Sequence, residues 1–164
     1  MDISQILVCA EAKKATVRVV GRGSFQNAHQ LKSFYLGVIP NGTDDFNVDL
    51  KECTYLDSTF LGTLAMLGSS LRKKGGQLHV LNANTRNIEL MQNLGLDRLF
   101  TIQLQAVEID VNSLKVQAEP TLSKKEAGQQ MLEAHEMLIE VDTNNLCKFK
   151  DVVAYLKDDL GLNP

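Results

Sequence analysis

The order of apolar periods limits most tightly how this chain can fold. Phe46, Val48 and Leu50 alternate with Asn47, Asp49 and Lys51, as a half-buried strand requires, in a run directed towards Tyr55-Leu56. A wide helical stripe follows: Leu61, Leu64, Ala65, Leu67, Gly68 and Leu71. It stops at Lys74-Gly75-Gly76, where Arg72 and Lys73 suit the negative end of the helix dipole and glycine lies beyond. Residues 77–81 read as the next strand. Asn84 or Thr85 can cap a third helix with Ile88, Met91 and Leu94 inward, Gly95-Leu96 reads as a left-handed stop, and residues 99–104 read as a further strand. Upstream, residues 3–10 and 16–20 are strand patterns joined by a short polar link, so a hairpin is the simplest connection. Asn27 can then cap a helix with Ala28, Leu31, Phe34, Tyr35 and Val38 inward, ended by Pro40-Asn41-Gly42. Strands separated by helices need crossover connections. The expected fold is therefore an α/β sandwich over residues 1–104: an N-terminal hairpin, a mostly parallel central sheet, and helices against it.

Past residue 104 the pattern changes. Val107, Ile109 and Val111 alternate in opposite phase to Ile102 and Leu104, so residues 105–122 are expected to be a linker or an extra strand. Pro120 breaks the chain, and Ser123 with Glu126 forms a capping-box pattern. Ala127, Met131, Ala134, Leu138 and Val141 then run down one helical face. After the polar turn at Asp142-Thr143-Asn144-Asn145, Leu146, Phe149, Val153, Leu156 and Leu160 run down another. Two amphipathic helices joined this closely make an αα-hairpin over residues 123–161. It is expected either to cover the sheet or to present an apolar stripe for docking, with a homodimer through these helices as one outcome.

Charge and composition exclude several functions. The net charge of −3 falls wholly within residues 115–164, the chain has no Trp, and only 5% of it is aromatic. Neither a basic stripe nor a base-stacking platform is present, which argues against direct nucleic-acid binding. No apolar run approaches the roughly 20 residues that span a bilayer, and no basic start precedes an apolar block as in a secretory signal. Cys9, Cys53 and Cys147 are far apart and form no CxxC, so a cytoplasmic, reducing location is expected, with no metal site. His29, His79 and His135 have no partners at metal-ligand spacing, and His135 reads as lying on the polar side of its helix. Ser69-Ser70 lacks a nucleophile elbow. Gly21-x-Gly23 begins a dinucleotide fingerprint, but Gln26 holds the third glycine position, so a plain turn is the simpler reading and a nucleotide or small-molecule binder an alternative. Neither catalytic residues nor a cofactor are expected.

What remains is LDSTFLG, residues 56–62. Asp57, Ser58 and Thr59 are all preferred helix caps, and one such cap is worth about 1 kcal/mol. A helix needs only one. A surplus hydroxyl at a helix start suits phosphorylation, because about −1.5 to −2 charges would arrive at the positive end of the dipole. The patch would change sign without disturbing the fold.

The wider segment FNVDLKECTYLDSTFLGTLAML resembles the signature of STAS domains, the bacterial anti-sigma factor antagonists. There an alternating strand leads through Asp-Ser-Ser/Thr-Gly-Leu-Gly into a helix. Asp57, Ser58, Thr59, Leu61 and Gly62 match, and Phe60 stands at the first glycine. The downstream GGQLHVLNANTRNIELMQNLGLDRLF is similar to the family as well, so the resemblance spans residues 1–104. It implies a regulator without catalysis that works by partner switching: binding to a serine kinase that doubles as an anti-sigma factor, phosphorylation of Ser58 with ATP held by the kinase, and reset by a phosphatase. Thr59 is the alternative acceptor. The implied interface contains Asp57, Ser58, Thr59 and Phe60, with Gly23 and Ser24 beside them. Asp57 is expected to orient the hydroxyl or to meet the modifying enzyme. Phe60 is expected either to bury under the helix or to anchor a partner. A non-switching STAS scaffold subunit of a larger complex is the other reading that the resemblance allows.

Overall fold

The computed structural model describes residues 3–162, so the first two positions of the domain expected over residues 1–104 lie outside the described residues. Strands β1 (Gln5–Glu11) and β2 (Lys14–Gly23) form the expected hairpin, in antiparallel register from Gln5 opposite Val20 to Glu11 opposite Lys14. Ala15, Val17 and Val19 of β2 point into the core, which is the period-two alternation read from the sequence. Helix α1 (Ala28–Val38) follows. Asn27 holds the cap position, but its side chain does not cap the helix. It accepts from the Ser24 N–H and donates to the Arg22 carbonyl, bracing the preceding turn instead.

The long strand expected from Phe46 towards Leu56 is two strands. Strand β3 (Asp45–Asp49) pairs in parallel with the first half of β2, and β4 (Cys53–Leu56) pairs in parallel with its end, opposite Gly21 to Gly23. The register shifts between Gly21 and Arg22. Gly21 has φ +77, a conformation that glycine adopts without a Cβ penalty, and its N–H donates to the Glu52 carbonyl in the turn between β3 and β4. One bend in β2 thus sends two successive strands along it.

Helix α2 (Ser58–Lys73), strand β5 (Gln77–Leu81), helix α3 (Thr85–Asn93) and strand β6 (Thr101–Ile102) complete the alternation. The strands lie in the order β6-β5-β3-β2-β1-β7, where β7 (Lys115–Val116) pairs antiparallel with β1. From β2 through β3 and β5 to β6 every pairing is parallel. The fold is mixed α/β with a mostly parallel sheet, as expected. Asn84 caps α3 by accepting from the Asn87 N–H. Of the residues expected inward on α3, Met91 and Leu94 are buried and Ile88 is half-buried, while Asn87 beside them is fully buried as well. The Asn87 amide reaches the Cys53 carbonyl, which explains a polar residue there. The last expected strand keeps only two residues, Thr101 and Ile102.

No strand forms at Val107, Ile109 and Val111, and the extra strand lies later, at β7. Asn82 (φ +58) holds residue 107 from the end of β5, donating to the Val107 carbonyl and accepting its N–H, both at 2.8 Å. These two side-chain bonds take the place of a ladder. Helices α4 (Lys124–Val141) and α5 (Leu146–Asp159) form the C-terminal pair, and the Ser123/Glu126 capping box opens α4. Instead of covering the sheet, α4 packs on α2, and Leu138 joins the main core from above that helix.

Tyr35 of α1 is buried, and burial, followed by the Glu133 carboxylate on α4, raises its pKa from 10.0 to about 12. The fold therefore favours the neutral phenol. Its stabilising contribution is intact below the unfolded pKa of 10.0 and is lost as pH rises through about 12. Urea midpoints across that window should fall more steeply for the wild type than for Tyr35→Phe.

Candidate functional site

The site forms where β4 ends and α2 begins. Asp57 is the N-cap, in extended conformation, and its Oδ1 accepts the Phe60 N–H at 2.9 Å. Its Oδ2 accepts the Phe25 N–H at 2.8 Å, and its own N–H donates to the Gly23 carbonyl. Asp57 therefore ties the loop after β2 to the start of α2. Both carboxylate oxygens hold backbone donors, so Asp57 caps the helix and positions that loop, while the hydroxyl of Ser58 is bonded elsewhere. Asp57→Ala should cost about 1–2 kcal/mol, at the upper end for a lost cap because the Phe25 N–H loses its partner too. Asp57→Asn keeps only one acceptor oxygen for the two N–H groups, so its urea midpoint should fall between those of the wild type and Asp57→Ala.

Phe60 lies in the core. It is fully buried, so of the two expectations burial under the helix holds, and its place among the interface residues is corrected. Gly23 makes room for it: a Cβ there would come within 2.8 Å of Leu56 and 3.0 Å of the Phe60 ring. Gly23 thus serves the core beneath the site, although the sequence placed it at the interface. Ser24 stays at the surface edge, where its carbonyl accepts the Asn27 and Ala28 N–H groups and its hydroxyl accepts from Gln26. Thr59, the alternative acceptor, is only 4% exposed, at the wall of an open groove, and its carbonyl accepts the Thr63 hydroxyl.

Ser58 is half-buried in the first turn of α2, and its neighbour was not foreseen. Its Oγ lies 2.8 Å from Nε2 of His135 on α4, and the Nδ1 of that ring lies 2.7 Å from the Met131 carbonyl. A carbonyl can only accept, so Nδ1 carries the proton. In the neutral ring Nε2 is then the acceptor, and the Ser58 hydroxyl donates to it. His135 is 4% exposed and packs edge-on against Phe149 of α5, with centroids 5.4 Å apart. The expectation of a polar-side histidine is corrected. The signal was present in the spacing: His135 stands four residues after Met131 and three before Leu138, on their face. Gly62, one turn into α2, is the second point of close approach, because a Cβ there would overlap the Ala134 carbonyl. Only glycine lets α4 approach α2 so closely at that point.

His29 and His79 are far from this arrangement in role. His29 edges an open groove of about 500 Å³ with Phe25, Thr59, Pro120 and Met131, and His79 lies near Gln77 and Asp45. Among the described residues no group of three or more His, Cys, Asp or Glu could hold a metal ion, and no helix is long and apolar enough to cross a membrane.

Residues 6–105 match the family model described as Mlab, STAS domain. Among solved structures, the chain is similar to the anti-sigma factor antagonist SpoIIAA of Bacillus in its unphosphorylated form, with 11% identity over 63% of this chain and 90% of that one and a TM-score of 0.52. It is similar to a putative anti-sigma factor antagonist from Thermotoga maritima, with 19% identity, 58% and 82% coverage and a TM-score of 0.54. It is also similar to an anti-sigma factor antagonist from Mycobacterium paratuberculosis, with 24% identity, 63% and 88% coverage and a TM-score of 0.52. At these identities the likeness establishes the fold. No functionally curated protein matches the sequence. The family match covers most of the chain up to the last strand of the parallel run, and the protein belongs to the STAS-domain family.

Proposed function

We propose that this protein is a phosphorylation-controlled binding module that works in the cytoplasm by partner switching. Its partner in this reading is a serine kinase that doubles as an anti-sigma factor. The unphosphorylated form captures the partner, phosphorylation of Ser58 releases it, and a phosphatase resets the cycle.

One observation carries the reading: the three polar residues divide the work. Asp57 caps the helix, Thr59 is buried, and Ser58 holds a hydroxyl that no backbone group of α2 uses. That hydroxyl lies in the first turn of a 16-residue helix, where a phosphate meets the positive end of the dipole. The modification would therefore change the surface charge by about −1.5 to −2 without opposing the helix.

Incubation with the cognate kinase and ATP, followed by peptide mass spectrometry, tests the reading. One phosphate on Ser58 is expected in the wild type and none in Ser58→Ala, with Ser58→Asp binding the kinase at least tenfold more weakly. Modification elsewhere, with Ser58→Asp binding as the wild type does, would leave the scaffold role instead.

A further inference from the structure

We propose that His135 is the built-in proton acceptor of Ser58: its Nε2 takes the hydroxyl proton when Ser58 receives a phosphoryl group, and the charged ring then holds the phosphate. This rests on the reading of Ser58 as the switch residue.

The groups for this step are already in place. Ser58 Oγ donates to His135 Nε2 at 2.8 Å, and Nδ1–H donates to the Met131 carbonyl at 2.7 Å. A nucleophile, a base within hydrogen-bond reach and a third group that orients the base form the arrangement that activates a serine. His135 is 4% exposed, whereas Ser58 is half-buried. The ring therefore lies on the protein side of the oxygen, and Ser58 keeps an open side for a partner. Capture of that partner leaves α4 where it is. His135 and Met131 both belong to α4, beyond residues 6–105 that match the family model, so the base comes from the C-terminal helices of this chain.

In the transfer, Ser58 Oγ bonds to the γ-phosphorus of ATP held by the kinase. The bond from that phosphorus to the ADP oxygen breaks, and ADP leaves with the electron pair. The hydroxyl proton moves to Nε2. Both N–H groups of the resulting imidazolium are then used: Nδ1–H on the Met131 carbonyl, and Nε2–H on the Ser58 oxygen and its phosphate. The original contact persists with donor and acceptor exchanged. Burial disfavours a charged ring, and a phosphate of about −1.5 to −2 charges beside it opposes that penalty. The cation lies beneath the phosphate, so the exposed face still gains negative charge. Asp151 and Tyr155 of α5 border the groove beside the ring, and Asp57, with both oxygens on backbone N–H groups, precedes Ser58. These groups are the same before and after modification, so a difference in ring protonation between the two forms reports the phosphate.

The first test needs no kinase. Phosphoserine is installed at position 58 of the full chain during translation, and the His135 ring is titrated by nitrogen-15 NMR in the serine and phosphoserine chains. The ring should bind its second proton at least about tenfold more tightly beside the phosphate, a shift of about one pH unit. An unchanged proton affinity would overturn the proposal. The second arm gives the cognate kinase and ATP the wild type and His135→Gln, whose amide cannot take the proton. The kcat for Ser58 should fall about tenfold or more, with KM for the protein unchanged; the loose transition state of phosphoryl transfer keeps this below the usual effect of a general base. Equal kcat values would overturn the proton-acceptor role. A wild type that the kinase leaves unmodified at Ser58 would overturn the switching reading, and the phosphoserine titration would still decide whether His135 holds the phosphate.

Discussion

Phe60→Ala is expected to lower stability by about 3–5 kcal/mol, the range for removing a fully buried aromatic side chain. The ring sits between the end of β2 and the head of α2, and the absence of a Cβ at Gly23 is fitted to it. The site above has little room to collapse, because Asp57 pins the loop and the helix start to each other with two hydrogen bonds. A cavity should therefore persist, which favours the upper part of the range. Gly23→Ala alone should also destabilise, since its methyl would press on Leu56 and Phe60. Combined with Phe60→Ala, the same methyl points into vacated space, so the double variant should be more stable than the sum of the two losses predicts. Urea titrations of the four chains, with unchanged m-values, measure this coupling. If Phe60 were instead a surface anchor, its removal would fall within the small range of surface substitutions.

The sequence was readable where local chemistry and long-range packing agree. Strand β5 falls on the residues its alternation marks, α2 starts after Asp57, and the Ser123/Glu126 box opens α4, because caps and periods are written within a few residues. It misled where one contact from far away decided the outcome. The apolar run from Phe46 to Leu56 looks continuous, yet Gly21 bends β2 and splits the run across two stretches of it. Val107 has a strand's alternation, but Asn82 takes up both of its backbone groups. At the site, Asp57 and Ser58 stood out by composition, and their division of labour did not. His135 lies 77 residues from Ser58, and a polar residue on an apolar stripe reads as an exception until its partner is placed opposite. Phe60 was left open between core and surface. Its answer depended on Gly23, whose missing side chain is invisible to any pattern of hydrophobic periods.

Arg18→Leu is expected to cost about 3–5 kcal/mol, because it leaves the Asp49 carboxylate, 0% exposed, without its cation. The two residues are direct neighbours across the parallel β2–β3 pair, and Arg18 Nε lies 2.6 Å from Asp49 Oδ2. Asp49 Oδ1 also accepts from the Lys51 N–H and the Asn82 amide. One buried carboxylate therefore joins the sheet centre, the turn into β4 and the residue that holds Val107. The ion pair itself need not stabilise the fold, since desolvation of both groups offsets much of their attraction. The loss comes from stranding one charge. That distinction can be measured: Arg18→Leu with Asp49→Asn removes both charges and keeps an acceptor for Lys51 and Asn82. The double variant should regain at least half of the stability lost in Arg18→Leu, as read from urea midpoints. A double variant no more stable than the single one would show that the pair is required as a charge pair, beyond its hydrogen bonds. Because α2 follows directly from β4, Arg18→Leu should also loosen the start of α2, visible as faster amide exchange at residues 58–62, even though Arg18 touches none of them.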